Sequence, residues 1–275
     1  MRFVRAVVWL AITALALTAG GFASGHEQRD PCAGQTTVRC WLARPPLYIA
    51  HRGGDADWVE GTALAYRNAA AWNPDLALEV PVWRTADGVW VVSEDATTGR
   101  VFGTDLDIRT STWGQLSALR TVQGGLPMAR LVQDVLEPYG RSRILFVDDK
   151  AGQDIDQFLS LLDAYGGPSH IVCKSFAQSQ QVALAAHAHG YLTWGYYYST
   201  GLGELQATAP AFDLLGLNYD ASAADFARLR ATGKPVIAHV VPTRSAADQA
   251  LGNGAQGLMV SGVTEVVPRV RSPRR

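Results

Sequence analysis

A histidine and an arginine stand side by side at the end of a short apolar run, and two glycines follow them, in the segment YIAHRGG at residues 48–54. An arginine pairs well with the oxygens of a phosphate group, and an imidazole can transfer a proton near neutral pH. Glycines carry no Cβ and let the backbone approach a ligand closely. His51 and Arg52 are therefore candidates for acid/base chemistry on an anionic substrate, with a solvated strand end as the simpler alternative.

Two further sets of residues lie where they can help to form a site. Trp194, Tyr196 and Tyr198 alternate along one apolar run, so they share one face of a predicted strand and either line a substrate pocket or pack the core. His239 lies near the end of another apolar run, on the same face as Ile237. It is a candidate second imidazole for catalysis, or a histidine hydrogen-bonded within the rim of the fold.

The elements that must position these residues are β-rich runs that alternate with helical segments. The predicted strands cover residues 47–51, 76–82, 143–148, 170–175, 191–197, 212–218, 235–241 and 257–261. Eight strands alternating with helices predict an α/β fold, the (β/α)₈ TIM barrel, whose active sites lie at the carboxyl ends of the strands. A doubly wound open sheet is the competing fold, but it usually has fewer strands.

The segment WRTADGVWVVSED at residues 83–95 carries a different signal. Asp87-Gly88 separates two β-like arms, and this dipeptide is typical of a tight β-hairpin. The second arm runs back along the second strand and brings its last residues, Glu94 among them, over the end of the sheet. We therefore expect a β-hairpin arm at residues 83–94 over the mouth of the barrel.

The first residues read as an export signal. Arg2 and Arg5 supply a positive start, the apolar stretch AVVWLAITALALTAG follows, and small residues fit a cleavage site before Ser24. We predict a signal peptide at residues 1–23 and a secreted, extracytoplasmic mature chain. An uncleaved anchor helix is the alternative, for which the apolar stretch is short.

Three regions are expected behind the signal: a segment at residues 24–45, the barrel at 46–267 and a basic tail at 268–275. Cys32 and Cys40 lie close together in sequence and can pair in an oxidising compartment. The net charge of −1 gives no electrostatic footprint for nucleic acid. We expect a monomer that binds a small molecule, has no nucleic-acid partner and has no stable membrane anchor.

Several motifs resemble those of the glycerophosphodiester phosphodiesterases, a family of the wider phospholipase C-like barrel group. AHRGG at residues 50–54 looks like the opening motif of that family, and ILFVDDK at 144–150 resembles its LNIEIK. LALEVPVWRTADGVWVVSED at 76–95 resembles IELDV…TKDG…VVxHD. Further likenesses follow in the family's order at 60–72 (EGTALAYRNAAAW), 173–176 (CKSF), 235–242 (PVIAHVVP) and 254–262 (GAQGLMVSG). The ordered set covers about residues 47–267 and indicates the barrel fold of that family.

The resemblance also implies a divalent metal, two histidines and attack on phosphorus by a hydroxyl of the glycerol. Among the implied metal ligands, Glu79 is kept and Asp148 replaces a glutamate, but Pro81 stands where a carboxylate belongs. Calcium or magnesium is therefore expected to bind weakly or not at all. Glu94 stands in place of the second histidine as a possible proton donor, and Lys150 keeps the lysine that is expected to bind substrate.

Three functions are compatible with these residues. The first is a secreted phosphodiesterase that hydrolyses glycerophosphodiesters or a related lipid headgroup, with slow or absent turnover because of Pro81 and Glu94. The second is a non-catalytic member of the fold that binds a phosphorylated or polyol ligand. The third is a divergent phospholipase D-like enzyme, in which an aspartate such as Asp148 can be a metal ligand. Asp149 points to the opposite face of its strand and is not expected to replace the lost ligand.

Overall fold

The sheet of this protein closes on itself into a ring of parallel strands. The computed structural model describes residues 32–270, and Gly34 onward forms one unit around this sheet. Cys32 and Ala33 lie in a turn. The predicted signal peptide at residues 1–23 and residues 271–275 of the tail lie outside the described residues.

Nine strands form the sheet. They are β1 (Leu47–Ala50), β2 (Ala77–Arg84), β3 (Trp90–Val92), β4 (Leu145–Asp149), β5 (Ile171–Phe176), β6 (Leu192–Tyr197), β7 (Leu214–Asn218), β8 (Val236–Val241) and β9 (Gly257–Val260). Their order is β1-β9-β8-β7-β6-β5-β4-β2-β3, and a parallel pairing of β1 with β2 closes the ring. The eight parallel strands are those predicted, so the TIM barrel is confirmed and the open sheet is wrong.

Helices follow or flank the strands around the outside of the ring. The α-helices are α1 (Val38–Leu42), α2 (Ala63–Trp72), α3 (Gly99–Phe102), α4 (Trp113–Leu116), α5 (Glu137–Tyr139), α6 (Ile155–Tyr165), α7 (Gln180–Ala188), α8 (Leu205–Thr208), α9 (Ala223–Arg230), α10 (Arg244–Gly252) and α11 (Val263–Val266). A π-helical turn covers Val132–Leu136, and 3₁₀ turns cover His51–Gly53, Ile108–Thr110, Gly167–Ser169, Ser199–Glu204 and Ala209–Ala211.

Strand β3 is the additional strand and forms the predicted hairpin. It pairs antiparallel with the end of β2, where Arg84 lies opposite Trp90. Gly88 adopts φ = 87° in the turn, a left-handed conformation that glycine reaches without strain. Beyond β3 the Ser93 N–H donates to the Pro81 carbonyl at 3.0 Å, so the arm returns along β2 and brings Glu94 to the mouth.

Side chains alternate between the inside of the barrel and the surrounding helices, as the period of two in a strand requires. The lower interior is apolar: Trp41 of α1 packs edge-on against Phe146, and Phe146 packs edge-on against Trp194. The upper interior, two residues further along the same strands, is polar and includes Glu79 and Asp148. The fold therefore separates a packed base from a charged mouth.

The cysteines fit this arrangement. Cys40 is buried in α1 and is disulfide-bonded. Among the described cysteines, Cys173 of β5 is a buried free thiol.

No helix within residues 32–270 is long and apolar enough to cross a bilayer.

Candidate active site at the barrel mouth

The turn after β1 places His51 and Arg52 at the mouth. Arg52 adopts a left-handed conformation (φ = 50°, ψ = 31°), and its backbone N–H donates to Glu79 Oε2 at 2.7 Å. A Cβ on Gly53 would lie 3.0 Å from the Cβ of Ala65 in α2. A Cβ on Gly54 would lie 2.9 Å from Val263 of α11. These glycines were expected to admit a ligand, but they let the turn pack against two helices.

His51 is oriented by a carboxylate four residues later. Its Nδ1 lies 3.0 Å from Asp55 Oδ1, and only 8% of the histidine is exposed. Burial alone would raise the pKa of Asp55, but the hydrogen bond and charge of His51 hold it below its usual value. With Nδ1 engaged, Nε2 is the ring nitrogen available to a ligand, as in other carboxylate–histidine pairs.

A buried lysine lies between the two carboxylates that the sequence suggested as metal ligands. Lys174 Nζ is 3.0 Å from Glu79 Oε1 and 2.6 Å from Asp148 Oδ2. Lys174 and Asp148 are register partners on β5 and β4. Burial opposes charge on all three groups, yet their mutual attraction raises the pKa of Lys174 and lowers those of Glu79 and Asp148. The three groups are therefore an ionised cluster.

This cluster does not fit a divalent ion. Both oxygens of Glu79 already accept hydrogen bonds, Oε1 from Lys174 and Oε2 from the backbone of Arg52. The third implied ligand is Pro81, which has no donor atom. Over the described part of the chain, residues 32–270, no three His, Cys, Asp or Glu side chains come together in a way that could hold a metal. The sequence-based prediction that a divalent ion binds weakly or not at all at Glu79 and Asp148 did not include Lys174.

Glu94 joins a second group of charges at the rim. Its Oε1 accepts from Lys150 Nζ at 2.8 Å and lies 3.4 Å from Arg52 Nη2. Arg52 Nη1 also donates to Glu60 at 3.1 Å, and Glu60 in turn binds Arg100. Glu94 thus contacts two cations at the rim, and its role as a proton donor stays a prediction.

The mouth contains a small cavity of about 90 Å³. Five of the residues predicted from the sequence line it: His51, Arg52, Glu94, Trp194 and His239. Lys174, Tyr196 of β6 and Tyr198 just beyond the end of β6 also line it. Glu94 Oε2 and Trp194 Nε1 are buried and find no hydrogen-bond partner among residues 32–270. An unpaired buried acceptor and donor are costly, so a polar ligand that reached either atom would be stabilised.

His239 is held as a neutral imidazole. Its Nε2 lies 3.0 Å from the carbonyl oxygen of Tyr197, which can only accept, so Nε2 carries the proton. Burial lowers the pKa of His239 to about 3. The aromatic rings of Tyr196 and Tyr198 pack edge-on around it. Its Nδ1 is therefore an acceptor, which suits a ligand hydroxyl better than it suits proton donation.

Lys150 and Asp149 belong to a neighbouring cavity of about 240 Å³. Lys150 Nζ donates to Glu94 at 2.8 Å and to Asp148 at 3.1 Å, and the residue does not line the mouth cavity. Asp149 faces away from Lys174, as the strand period predicts, and accepts from the N–H groups of Ala151 and Gly152. Burial raises the pKa of Asp149 to about 6.

Sequence reasoning missed Lys174 and Asp55. Lys174 stands within the apolar strand segment IVCKSF, where a charge needs a buried partner, and this is the signal that would have found it. Asp55 follows His51 by four residues, but the sequence does not reveal that the intervening glycine turn folds it back onto the imidazole.

An eight-stranded parallel βα barrel with charged residues gathered at the carboxyl ends of its strands has the architecture of a barrel enzyme. A family model described as the glycerophosphoryl diester phosphodiesterase family matches residues 51–249. The chain belongs to the glycerophosphoryl diester phosphodiesterase family.

Solved structures of this family share the fold. A phosphodiesterase of Oleispira antarctica, in complex with the product sn-glycerol-3-phosphate, is 18% identical with a TM-score of 0.67, covering 80% of this chain and 95% of that one. A glycerophosphodiester phosphodiesterase of Thermotoga maritima is 18% identical with a TM-score of 0.64, covering 79% and 95%. A glycerophosphoryl diester phosphodiesterase domain from Mycobacterium tuberculosis is 18% identical with a TM-score of 0.61, covering 80% and 97%.

Proposed function

We propose that this chain is a phosphodiester hydrolase that acts on small glycerophosphodiesters at the mouth of its barrel. The observation that carries the proposal is that His51, which is paired with Asp55, lines the same cavity as two cations, Arg52 and Lys174. A proton-transferring imidazole beside fixed positive charge is the arrangement that cleavage of an anionic diester requires.

In the proposed reaction, a glycerol hydroxyl bonds to phosphorus as the bond from phosphorus to the oxygen of the leaving alcohol breaks. His51 accepts the proton of the attacking hydroxyl and returns it to the leaving oxygen, and Asp55 stabilises the imidazolium between the two transfers. Water then opens the cyclic phosphate by the same proton transfers. Arg52 and Lys174 offset the negative charge that gathers on the phosphoryl oxygens. His239 accepts a hydrogen bond from a ligand hydroxyl through Nδ1. No step in this scheme passes through a metal, because the residues present do not fit one.

The size of the site supports a small substrate. Sites that enclose drug-sized ligands have volumes of about 300–1,000 Å³, whereas the mouth cavity has about 90 Å³. A phosphate with a short polyol is closer to this size than a lipid with its acyl chains. The product sn-glycerol-3-phosphate, held by the Oleispira antarctica enzyme, is a ligand of this class.

A second function, binding without turnover, is favoured by two residues. Pro81 removes a carboxylate that the family resemblance implies, and Glu94 replaces a histidine with an acceptor already bound to cations. The same cavity would then hold a phosphorylated polyol without cleaving it.

We further propose that the protein works outside the cytoplasm. The support is the signal-like sequence at residues 1–23 and the disulfide-bonded state of Cys40, a bond that persists in oxidising compartments.

The deciding experiment measures hydrolysis of glycerophosphocholine, glycerophosphoethanolamine and glycerophosphoinositol by the purified mature chain. Binding of sn-glycerol-3-phosphate is measured by calorimetry on the same samples. The test variant is His51→Asn, and the control is His189→Asn, because His189 lies at the end of α7 beside Asp163.

Hydrolysis that falls about 10²–10⁴-fold in His51→Asn and stays at the wild-type rate in His189→Asn supports the hydrolase. Binding of sn-glycerol-3-phosphate without detectable hydrolysis supports the second function and rejects the first. A wild-type protein that neither hydrolyses nor binds these compounds contradicts both functions.

A further inference from the structure

We propose that the ammonium of Lys174 is a built-in cation that takes the place of a divalent metal between Glu79 and Asp148, so that the mouth binds a phosphoryl group without metal. The phosphoryl part of this inference rests on the proposed function, whereas the exclusion of metal does not.

The positions of the carboxylate oxygens of Glu79 and Asp148 are the reason for excluding a divalent metal. Lys174 Nζ lies 3.0 Å from Glu79 Oε1 and 2.6 Å from Asp148 Oδ2. A magnesium or calcium ion would need to approach these oxygens to about 2.0–2.6 Å, which places it where the ammonium lies. Glu79 Oε2 is also occupied by the backbone N–H of Arg52 at 2.7 Å. A metal would therefore have to displace the lysine and recruit ligands that Pro81 cannot supply.

The lysine is held in this position from several sides. It is 5% exposed, and its Nζ lies 4.7 Å from the ring centre of Tyr196, within the range of a cation–π contact. Lys150 reaches the same Asp148 oxygen at 3.1 Å, so this carboxylate is already offset by two ammonium groups. Adding a divalent cation beside two fixed positive charges is electrostatically unfavourable.

The ammonium retains capacity for a ligand. An ammonium group has three N–H donors, and the hydrogen bonds to Glu79 and Asp148 use two of them. Lys174 also lines the mouth cavity beside Arg52. The third donor of Lys174 and the guanidinium of Arg52 are therefore the two positive groups that a phosphoryl oxygen in the cavity would meet.

The test uses the purified chain, inorganic phosphate as the anion probe, and Mg²⁺ and Ca²⁺ as the metal probes. Calorimetry measures phosphate binding in EDTA and metal binding in the absence of phosphate. Lys174→Met removes the cation, and Lys234→Met is the matched control, because Lys234 is another partly buried lysine and donates to the Ala209 and Phe212 carbonyls.

We expect phosphate to bind the wild type equally in EDTA and in Mg²⁺. Binding should weaken at least tenfold in Lys174→Met and remain unchanged in Lys234→Met. Neither metal should raise the wild-type melting temperature, whereas Ca²⁺ should raise that of Lys174→Met, in which Glu79 loses its ammonium partner and Asp148 keeps only Lys150. If Lys174→Met does not fold, the phosphate titration uses the double variant Lys174→Met/Glu79→Gln, in which one of the two carboxylate charges is also removed.

Binding of one Mg²⁺ or Ca²⁺ per wild-type chain that is abolished by Asp148→Asn overturns the inference. Phosphate binding that needs a metal, or that is unaffected by loss of Lys174, also overturns it. If metal-free phosphate binding depends on Lys174 but glycerophosphodiesters are not hydrolysed, the inference stands and the proposed hydrolase fails.

Discussion

Asp148 and Lys174 are register partners on neighbouring parallel strands, and Lys174 Nζ lies 2.6 Å from Asp148 Oδ2 inside the barrel mouth. Because β4 and β5 are adjacent, a change of one residue in their register would turn one of the two side chains to the outside of the barrel. The salt bridge therefore depends on the barrel itself, and the chemistry of the mouth depends on the salt bridge.

Rebuilding a metal site should require removal of the lysine as well as restoration of the lost carboxylate. We expect Pro81→Asp alone to gain no Ca²⁺ affinity, because Lys174 still occupies Glu79 and Asp148. Pro81→Asp/Lys174→Met brings three carboxylates together without the ammonium and should bind Ca²⁺ at least tenfold more tightly than Pro81→Asp. Calorimetry decides this, with Pro81→Asp/Lys234→Met as the control. Tight Ca²⁺ binding by Pro81→Asp alone would show that the lysine is easily displaced.

Loss of Lys174 should also destabilise the fold. Removing one partner of a buried ion pair typically costs about 3–5 kcal/mol, and here it leaves buried Glu79 without an ammonium partner and Asp148 with Lys150 alone. Urea unfolding of Lys174→Met should show a fall in the free energy of unfolding in this range. A loss below about 1 kcal/mol would mean that the cluster behaves as a solvent-exposed pair.

Acid should weaken the protein through His239. Burial lowers the pKa of His239 to about 3 in the folded state, whereas an unfolded histidine titrates near 6.5. The neutral form is favoured by folding, so this contribution is fully present above about pH 6.5 and is lost as the pH falls toward 3. His239→Gln should therefore lose less stability than the wild type between pH 8 and pH 4.

The measurement is urea unfolding at the two pH values, with His189→Gln as the control for the loss of a histidine near the surface. The difference between wild type and His239→Gln should be on the order of a few kcal/mol. Equal acid sensitivity of the wild type and His239→Gln would mean that burial does not lower the pKa of His239 in the folded protein.

The interior of the barrel should not tolerate a methyl group at Gly216. A Cβ there would lie 2.6 Å from the Trp194 ring, which fills the barrel below the mouth. Gly216→Ala should lower the free energy of unfolding by about 1–3 kcal/mol through overpacking. Gly252→Ala is the control, because within residues 32–270 no atom outside its chain neighbours and its own helix backbone lies within 4 Å of the added Cβ. Equal stability of the two variants would contradict the packing described for Trp194.

The amino-terminal segment should carry one disulfide between Cys32 and Cys40. The bond closes a short loop, so its contribution to stability should be on the order of 2–3 kcal/mol. Mass spectrometry without reductant should find the peptides containing these cysteines joined, with Cys173 as a thiol. Recovery of both peptides as free thiols would reject the pairing.

The fold could be predicted because its signals are local. Each barrel strand is a short β-rich run between helical segments, and Asp87-Gly88 fixes the hairpin whose arm carries Glu94. The convergence of His51 and Arg52 with Glu79 and Asp148 follows from strand ends meeting at one side of a barrel. The barrel, the hairpin and the meeting of the strand ends depend only on the order of the elements and on the two-residue period of a strand.

The balance of charge at the mouth could not be predicted in the same way. The contact of Lys174 with Glu79 joins residues 95 positions apart and depends on the register of strands across the barrel. The contacts of Glu94 with Lys150 and Arg52 depend on how far the hairpin arm folds back. Long side chains reach several partners from one backbone position, so strand parity restricts their neighbours without selecting one.

The most direct measurement is a crystal structure of the mature chain grown in millimolar Mn²⁺, a divalent ion with anomalous scattering. Lys174 Nζ should lie between Glu79 and Asp148 as described, with no anomalous peak at that position. A manganese peak between these two carboxylates, with the lysine turned away, would contradict the account.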